Sequence, residues 1–200
     1  MTFKLSSIPA DLQWYNNPVA WQIEPGEGLS VTAGENTDWF VDPAGGYNKD
    51  NSPTALFVPA DEKFILSAKV NVDFASTYDA GVLQVRESEN VWAKLCFEYS
   101  PQQKPMIVSV MTRGVSDDCN SVPIDGNEVF LRVARNDRTL TFHYSRDGRF
   151  WHLVRYFSLG KLNSPRVGFS SQSPTGRQCR TVFSEIIYRP GVIKDIRSGE

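Results

Sequence analysis

Trp92, Lys94 and Glu98 lie at even positions of the run Trp92-Ala93-Lys94-Leu95-Cys96-Phe97-Glu98-Tyr99, whose odd positions are all apolar. Side chains of an extended strand alternate between its two faces, so these three groups share one surface while Ala93, Leu95, Phe97 and Tyr99 face the other way. An indole, an ammonium and a carboxylate on one surface suit a polar ligand with an apolar face. The indole lies flat against a sugar ring, and the charged groups direct hydrogen bonds to its hydroxyls. The alternative is a solvated outer face, with Lys94 paired to Glu98 and aliphatic stems covering Trp92.

The neighbouring strands determine which residues join this surface. A loop at 87–91 sets Arg86 opposite Trp92, Gln84 opposite Lys94, Val82 opposite Cys96 and Ala80 opposite Glu98, because a slip of one residue would turn Leu83 and Val85 out of the core. A loop at 100–105 sets Tyr99 opposite Met106. In that register Val108 and Val110 face inward, Met111 neighbours Lys94 and Arg113 neighbours Trp92. The expected surface therefore carries Gln84, Arg86, Trp92, Lys94, Glu98, Met111 and Arg113. Two carboxylate-aromatic pairs, Asp38 with Trp39 and Tyr78 with Asp79, rim the site or else sit in ordinary turns, where aspartate bonds to its own backbone. Asp117 and Asp118 mark an acidic loop at 116–120 that is a further candidate for ligand hydroxyls, without a third oxygen donor at calcium-loop spacing.

Apolar-polar alternation recurs at 64–73, 80–87, 92–99, 106–113, 128–135, 139–145, 150–158, 166–171 and 180–188, with turn residues between, and two short strands are expected near 21–24 and 29–32. Nothing from 55 to 188 has a helical period. This pattern predicts an all-β chain of two antiparallel sheets, a jelly-roll sandwich. The 200 residues form one domain with its core at 12–188 and a peripheral tail at 191–200.

The segment Ser145-Arg146-Asp147-Gly148-Arg149-Phe150-Trp151 resembles the Asp box of sialidases, yet it is one residue short and occurs once; an Asp-Gly hairpin is the simpler reading. No nucleophile elbow, P-loop or dinucleotide fingerprint occurs. The 21 basic and 23 acidic residues are interspersed, which excludes a nucleic-acid footprint. No apolar run reaches the roughly 20 residues that span a bilayer, and the first residues lack the apolar segment of a secretory signal, so a cytosolic protein without membrane contact is expected. Three widely spaced cysteines suit free thiols. The two histidines have no ligand partner at metal spacing, and neither metal nor cofactor is expected.

Tyr78-Asp-Ala-Gly-Val-Leu-Gln-Val-Arg, the run 92–99, Thr112-Arg-Gly-Val-Ser-Asp-Asp and Tyr144-Ser-Arg-Asp-Gly-Arg-Phe-Trp together resemble the concanavalin-A-like domain of unknown function whose fungal member is called regulator of enolase. The resemblance runs from about Leu12 to Tyr188. It implies a sandwich of the lectin and glucanase type, usually intracellular, and a part in regulating sugar metabolism. Several glucanases of that type carry a Glu-x-Asp-x-x-Glu strand, which is absent here, and a retaining glycosidase needs two carboxyls about 5 Å apart. The leading expectation is therefore non-catalytic binding of a small carbohydrate or sugar derivative. The alternatives are docking onto a metabolic enzyme such as enolase, and a carbohydrate-active enzyme using Glu98.

Overall fold

Alternating sequence becomes seventeen strands and no helix in the computed structural model, which describes all 200 residues. The first seven are short, apart from the seven-residue β4: β1 (Thr2–Phe3), β2 (Leu12–Trp14), β3 (Ala20–Glu24), β4 (Gly28–Gly34), β5 (Trp39–Val41), β6 (Asn48–Asp50) and β7 (Thr54–Phe57). Long strands follow: β8 (Lys63–Val72), β9 (Ala80–Arg86), β10 (Val91–Tyr99), β11 (Pro105–Arg113), β12 (Val115–Pro123), β13 (Glu128–Asn136) and β14 (Thr139–Ser145). The chain closes with β15 (His152–Phe157), β16 (Arg166–Gln172) and β17 (Gln178–Pro190).

Two antiparallel sheets face each other. One runs β1-β2-β7-β16-β9-β10-β11-β12, the other β15-β14-β13-β8-β17-β4-β3, and β5-β6 forms a separate hairpin. Phe64, Leu66, Ala68, Val70 and Val72 of β8 meet Leu83, Val85, Leu95 and Phe97 from the opposite sheet in a single core of 33 buried residues. Each fully buried Phe or Leu contributes roughly 1.5–3 kcal/mol, so this core dominates the stability of the sandwich. Gly81 permits the close approach of the sheets, since a Cβ there would lie 2.5 Å from Val70 and 2.6 Å from Thr181. The sandwich is all-β and antiparallel, as the alternation requires.

Two features differ from the expected layout. Tyr99 pairs with Pro105 instead of Met106, which moves the β10–β11 register by one residue. Every side chain of β11 then changes face: Val108 and Val110 stand beside Cys96 and Lys94 on the outer surface, while Met111 packs against the main core. Arg113 pairs with Val91 and is exposed at a hairpin whose Gly114 has φ 81°. It therefore does not neighbour Trp92. The acidic segment 116–120 is also no loop but the middle of β12, an edge strand whose charges discourage further strand addition. The last ten residues lie against the outer face of the seven-stranded sheet, where Ile193 is buried with Ile65 and Ala134.

Candidate functional site

Rows of paired residues cross the outer face of the eight-stranded sheet. One runs Asp118, Val110, Lys94, Gln84, Gly168; the next runs Asn120, Val108, Cys96, Val82, Ser170; Glu98, Ala80 and Gln172 belong to the third. The hairpin β5–β6 lies over one end of these rows, with Trp39 packed edge-on to Trp92 at 5.9 Å between ring centroids. Trp39 is held there by its indole N–H, which donates to Ser52 O and Thr54 Oγ1. Trp92 is therefore 1 % exposed and belongs to a small apolar cluster with Trp39 and Val110, so it is not the open stacking platform expected for a ligand ring. Arg86 is captured in the same corner, its guanidinium 4.5 Å from the Trp39 ring and 4.8 Å from Tyr15. Gln84 is fully buried beside it.

Beyond the hairpin the face opens into a cavity of about 490 Å³. Lys94 lies at its base, 3 % exposed, and donates to Asp38 Oδ1 and to Gln172 Oε1, each at 2.9 Å. Gln172 in turn donates to the Tyr78 carbonyl at 3.1 Å and to Glu98 Oε2 at 3.5 Å. Asp38, Lys94, Gln172 and Glu98 thus form one polar chain across the floor. Asp38 can serve there because its backbone is fixed: its N–H donates to Asn51 Oδ1 and its carbonyl accepts from the N–H groups of Asn51 and Ser52. Phe40, Asp42 and Tyr47 of the hairpin form one wall, and Tyr78, Asp118 and Asn120 stand on the others.

The electrostatics follow from burial. Desolvation disfavours the Lys94 ammonium, but Asp38, with Cys96 and Glu98, more than offsets it, and the net shift is upward; Lys94 is a fixed cation. Glu98 is pushed up to about 8 by burial, partly opposed by Lys94 and reinforced by Asp118 and Asp38. It is therefore largely protonated at neutral pH and can donate as well as accept. Burial raises Asp118 as well, and Lys94 opposes that shift. Tyr47 is pushed up to about 12 by burial and by Asp38, which keeps its hydroxyl a neutral donor.

Lys94, Glu98, Asp38, Tyr78 and Asp118 of the expected site therefore converge, and Trp92, Trp39, Arg86 and Gln84 form the packed corner beside them. Asp79 is fully buried and accepts from Ala75 N, Ser76 N and Ser173 Oγ, which makes it a turn anchor. Asp117 points to the opposite side of β12 and pairs with Arg155 at 3.1 Å. Gln172, Tyr47 and Asp42 were not legible as site residues. The alternation of Gly168, Ser170 and Gln172 along β16 is the one signal that could have found the first; nothing in the short hairpin sequence marks the other two.

Residues 14–191 match the model of a family described as a protein of unknown function, DUF1349. A comparison with curated proteins finds no match. Among solved structures, a functionally unknown protein from Saccharomyces cerevisiae is 26% identical, with a TM-score of 0.82 over 90% of this chain and 97% of that one. The GH43 BlXynB protein from Bacillus licheniformis is 19% identical, with a TM-score of 0.72 over 90% of this chain. This chain spans only 37% of that protein's length. The alginate lyase from Klebsiella pneumoniae is 13% identical, with a TM-score of 0.55 over 88% and 86% of the two chains. These last two likenesses establish the concanavalin-like sandwich fold and nothing finer.

Proposed function

The chain belongs to the DUF1349 family of proteins of unknown function, and from that premise we propose that it binds a small uncharged carbohydrate or sugar derivative in the cavity over Lys94 and Glu98. The observation that carries this reading is the polar chain Asp38-Lys94-Gln172-Glu98 on the floor of a cavity walled by Phe40 and Tyr47. Such a floor offers fixed donors and acceptors to vicinal hydroxyls, and the rings take over the stacking role that Trp92 cannot perform. One ammonium faces the carboxylates of Asp38, Asp42 and Asp118, with Glu98 adding no charge while it is protonated, so the field opposes sugar phosphates and sugar acids. In line with the regulator-of-enolase resemblance, occupancy of the cavity would tune a cytosolic enzyme of sugar metabolism.

Calorimetric titration with a panel of neutral mono- and disaccharides tests the proposal. At least one sugar binds saturably, its 6-phosphate binds more weakly, and the exposed-rim variant Asp118→Ala loses about tenfold, the cost of leaving hydroxyls unpaired. Failure of every sugar to bind, or undiminished binding to Asp118→Ala and Tyr47→Ala alike, overturns it.

One observation favours a second reading. A carboxyl group protonated near neutrality beside other carboxylates is the environment of a general acid. An enzyme working in this way would turn over a sugar substrate at a rate that Glu98→Gln abolishes while leaving KM nearly unchanged.

A further inference from the structure

A second hollow, of about 420 Å³, lies on the opposite side of the molecule, on the outer face of the seven-stranded sheet. Its base is Arg132, whose strand neighbours are Ser67 of β8 and His143 of β14. Arg132 is 5 % exposed, yet it has no carboxylate partner. Its one hydrogen bond within the protein runs from Nη2 to the Gly199 carbonyl at 2.8 Å, its Nε is buried without an acceptor, and its guanidinium lies 4.1 Å from the Trp151 ring. A guanidinium carries five N–H donors, and burying a charge costs several kcal/mol unless an opposite charge and hydrogen bonds offset it.

Two further arginines reach the same hollow by local devices. The turn after β14 is rigid: Asp147 Oδ1 accepts from Ser145 Oγ at 3.0 Å and from the N–H groups of Arg149 and Phe150, each at 2.9 Å. These bonds hold the Asp147 carboxyl down at about 2 and satisfy its charge within the turn. Arg149 and Trp151 are thereby presented at the rim. On the other side, the register of β17 shifts between Ser184 and Ile187, with Glu185 at φ 48°, and this bulge re-aims the strand so that Glu185 and Arg189 line the cavity. Glu185 has no ion-pair partner; it and Asp147, whose carboxylate is engaged by the turn, are the two opposing charges in the lining, against three arginines.

We propose that this hollow binds a small organic phosphate, with the phosphate group against Arg132, Arg149 and Arg189 and the organic part against Phe130 and Trp151. A phosphate group offers three acceptor oxygens and up to two negative charges, which matches several guanidinium forks better than a single carboxylate does. The volume exceeds what an inorganic ion fills and falls in the range of small-molecule sites. Burial and the proximity of Arg189 bring Arg132 down to about 10, so it remains a cation at every physiological pH.

Phenyl phosphate, inorganic phosphate and phenol are titrated at constant ionic strength. Binding is followed by calorimetry and by nitrogen-edited NMR of the Arg132 Nε–H and Trp151 indole N–H. Phenyl phosphate is expected to bind saturably and to move both resonances, inorganic phosphate to bind more weakly, and phenol not to bind. Arg149→Gln and Arg189→Gln, both at exposed residues, each weaken binding about tenfold without changing the unfolding midpoint, and Glu185→Gln tightens it. Absence of saturable phenyl phosphate binding, binding unchanged in the Arg149→Gln/Arg189→Gln double variant, or loss of binding in Asp118→Asn of the other cavity overturns the proposal.

Discussion

The two outer faces of the sandwich each bury a basic side chain at the base of a hollow, and they compensate its charge in opposite ways. Lys94 is neutralised from within, by Asp38 at 2.9 Å, inside a cavity that contains further carboxyl groups. Arg132 has a backbone carbonyl and an aromatic face but no carboxylate. The difference teaches what each face can accept. A self-compensated cation presents hydrogen-bonding atoms without net positive charge and suits neutral hydroxyls, whereas an uncompensated one is completed by an anion from outside.

Breaking the internal pair has the largest expected effect. Asp38→Ala strands the Lys94 ammonium in a buried site, and chemical denaturation should show a loss of about 3–5 kcal/mol; adding Lys94→Met should recover most of it, because the stranded charge is then gone. Next comes Glu98. Its folded pKa of about 8 lies above the usual 4.5, so the folded state holds this proton more tightly than the unfolded chain does. The contribution of Glu98 is fully present below about pH 4.5 and is lost as pH rises through about 8. Glu98→Gln should therefore flatten the fall in stability over that window and exceed the wild type at pH 9 by roughly 2–4 kcal/mol in thermal melts analysed for ΔG. The smallest effect is expected across the molecule. Arg132→Met removes a buried charge that has no ionic partner, and in phosphate-free buffer it should change the unfolding free energy by less than about 1 kcal/mol. A loss as large as that of Asp38→Ala would erase the contrast between the faces.

Legibility of the site followed the strength of local patterning. Arg86, Gln84, Val82 and Ala80 pair with Trp92, Lys94, Cys96 and Glu98 as the alternation requires, since apolar residues on both strands leave only one register with a buried inner face. The next pairing differs by one because Pro105, a turn residue by type, is the first residue of β11 and pairs with Tyr99, and in a strand one residue exchanges the two faces. That exchange brought Val110 to Lys94 and removed Arg113 from the site. β12 was illegible as a strand because an exposed edge needs no apolar alternation, although its position sets Asp118 and Asn120 over the cavity. The family resemblance pointed to the fold and to the strand of Lys94 and Glu98; it carried no information on the hairpin that encloses them.

By itself the sequence determined the two-sheet sandwich, most of its long strands and the common face of Lys94 and Glu98, because period-two alternation is a local property that burial enforces. Only the tertiary structure decided that Trp92 is covered, that Asp38 and Gln172 complete the Lys94 site, and that Arg132 is buried without a carboxylate. Each of these depends on a contact between residues at least 56 positions apart, or on a hairpin folding across a sheet it does not pair with. Separations of that size are set by how elements pack together, which no local spacing encodes.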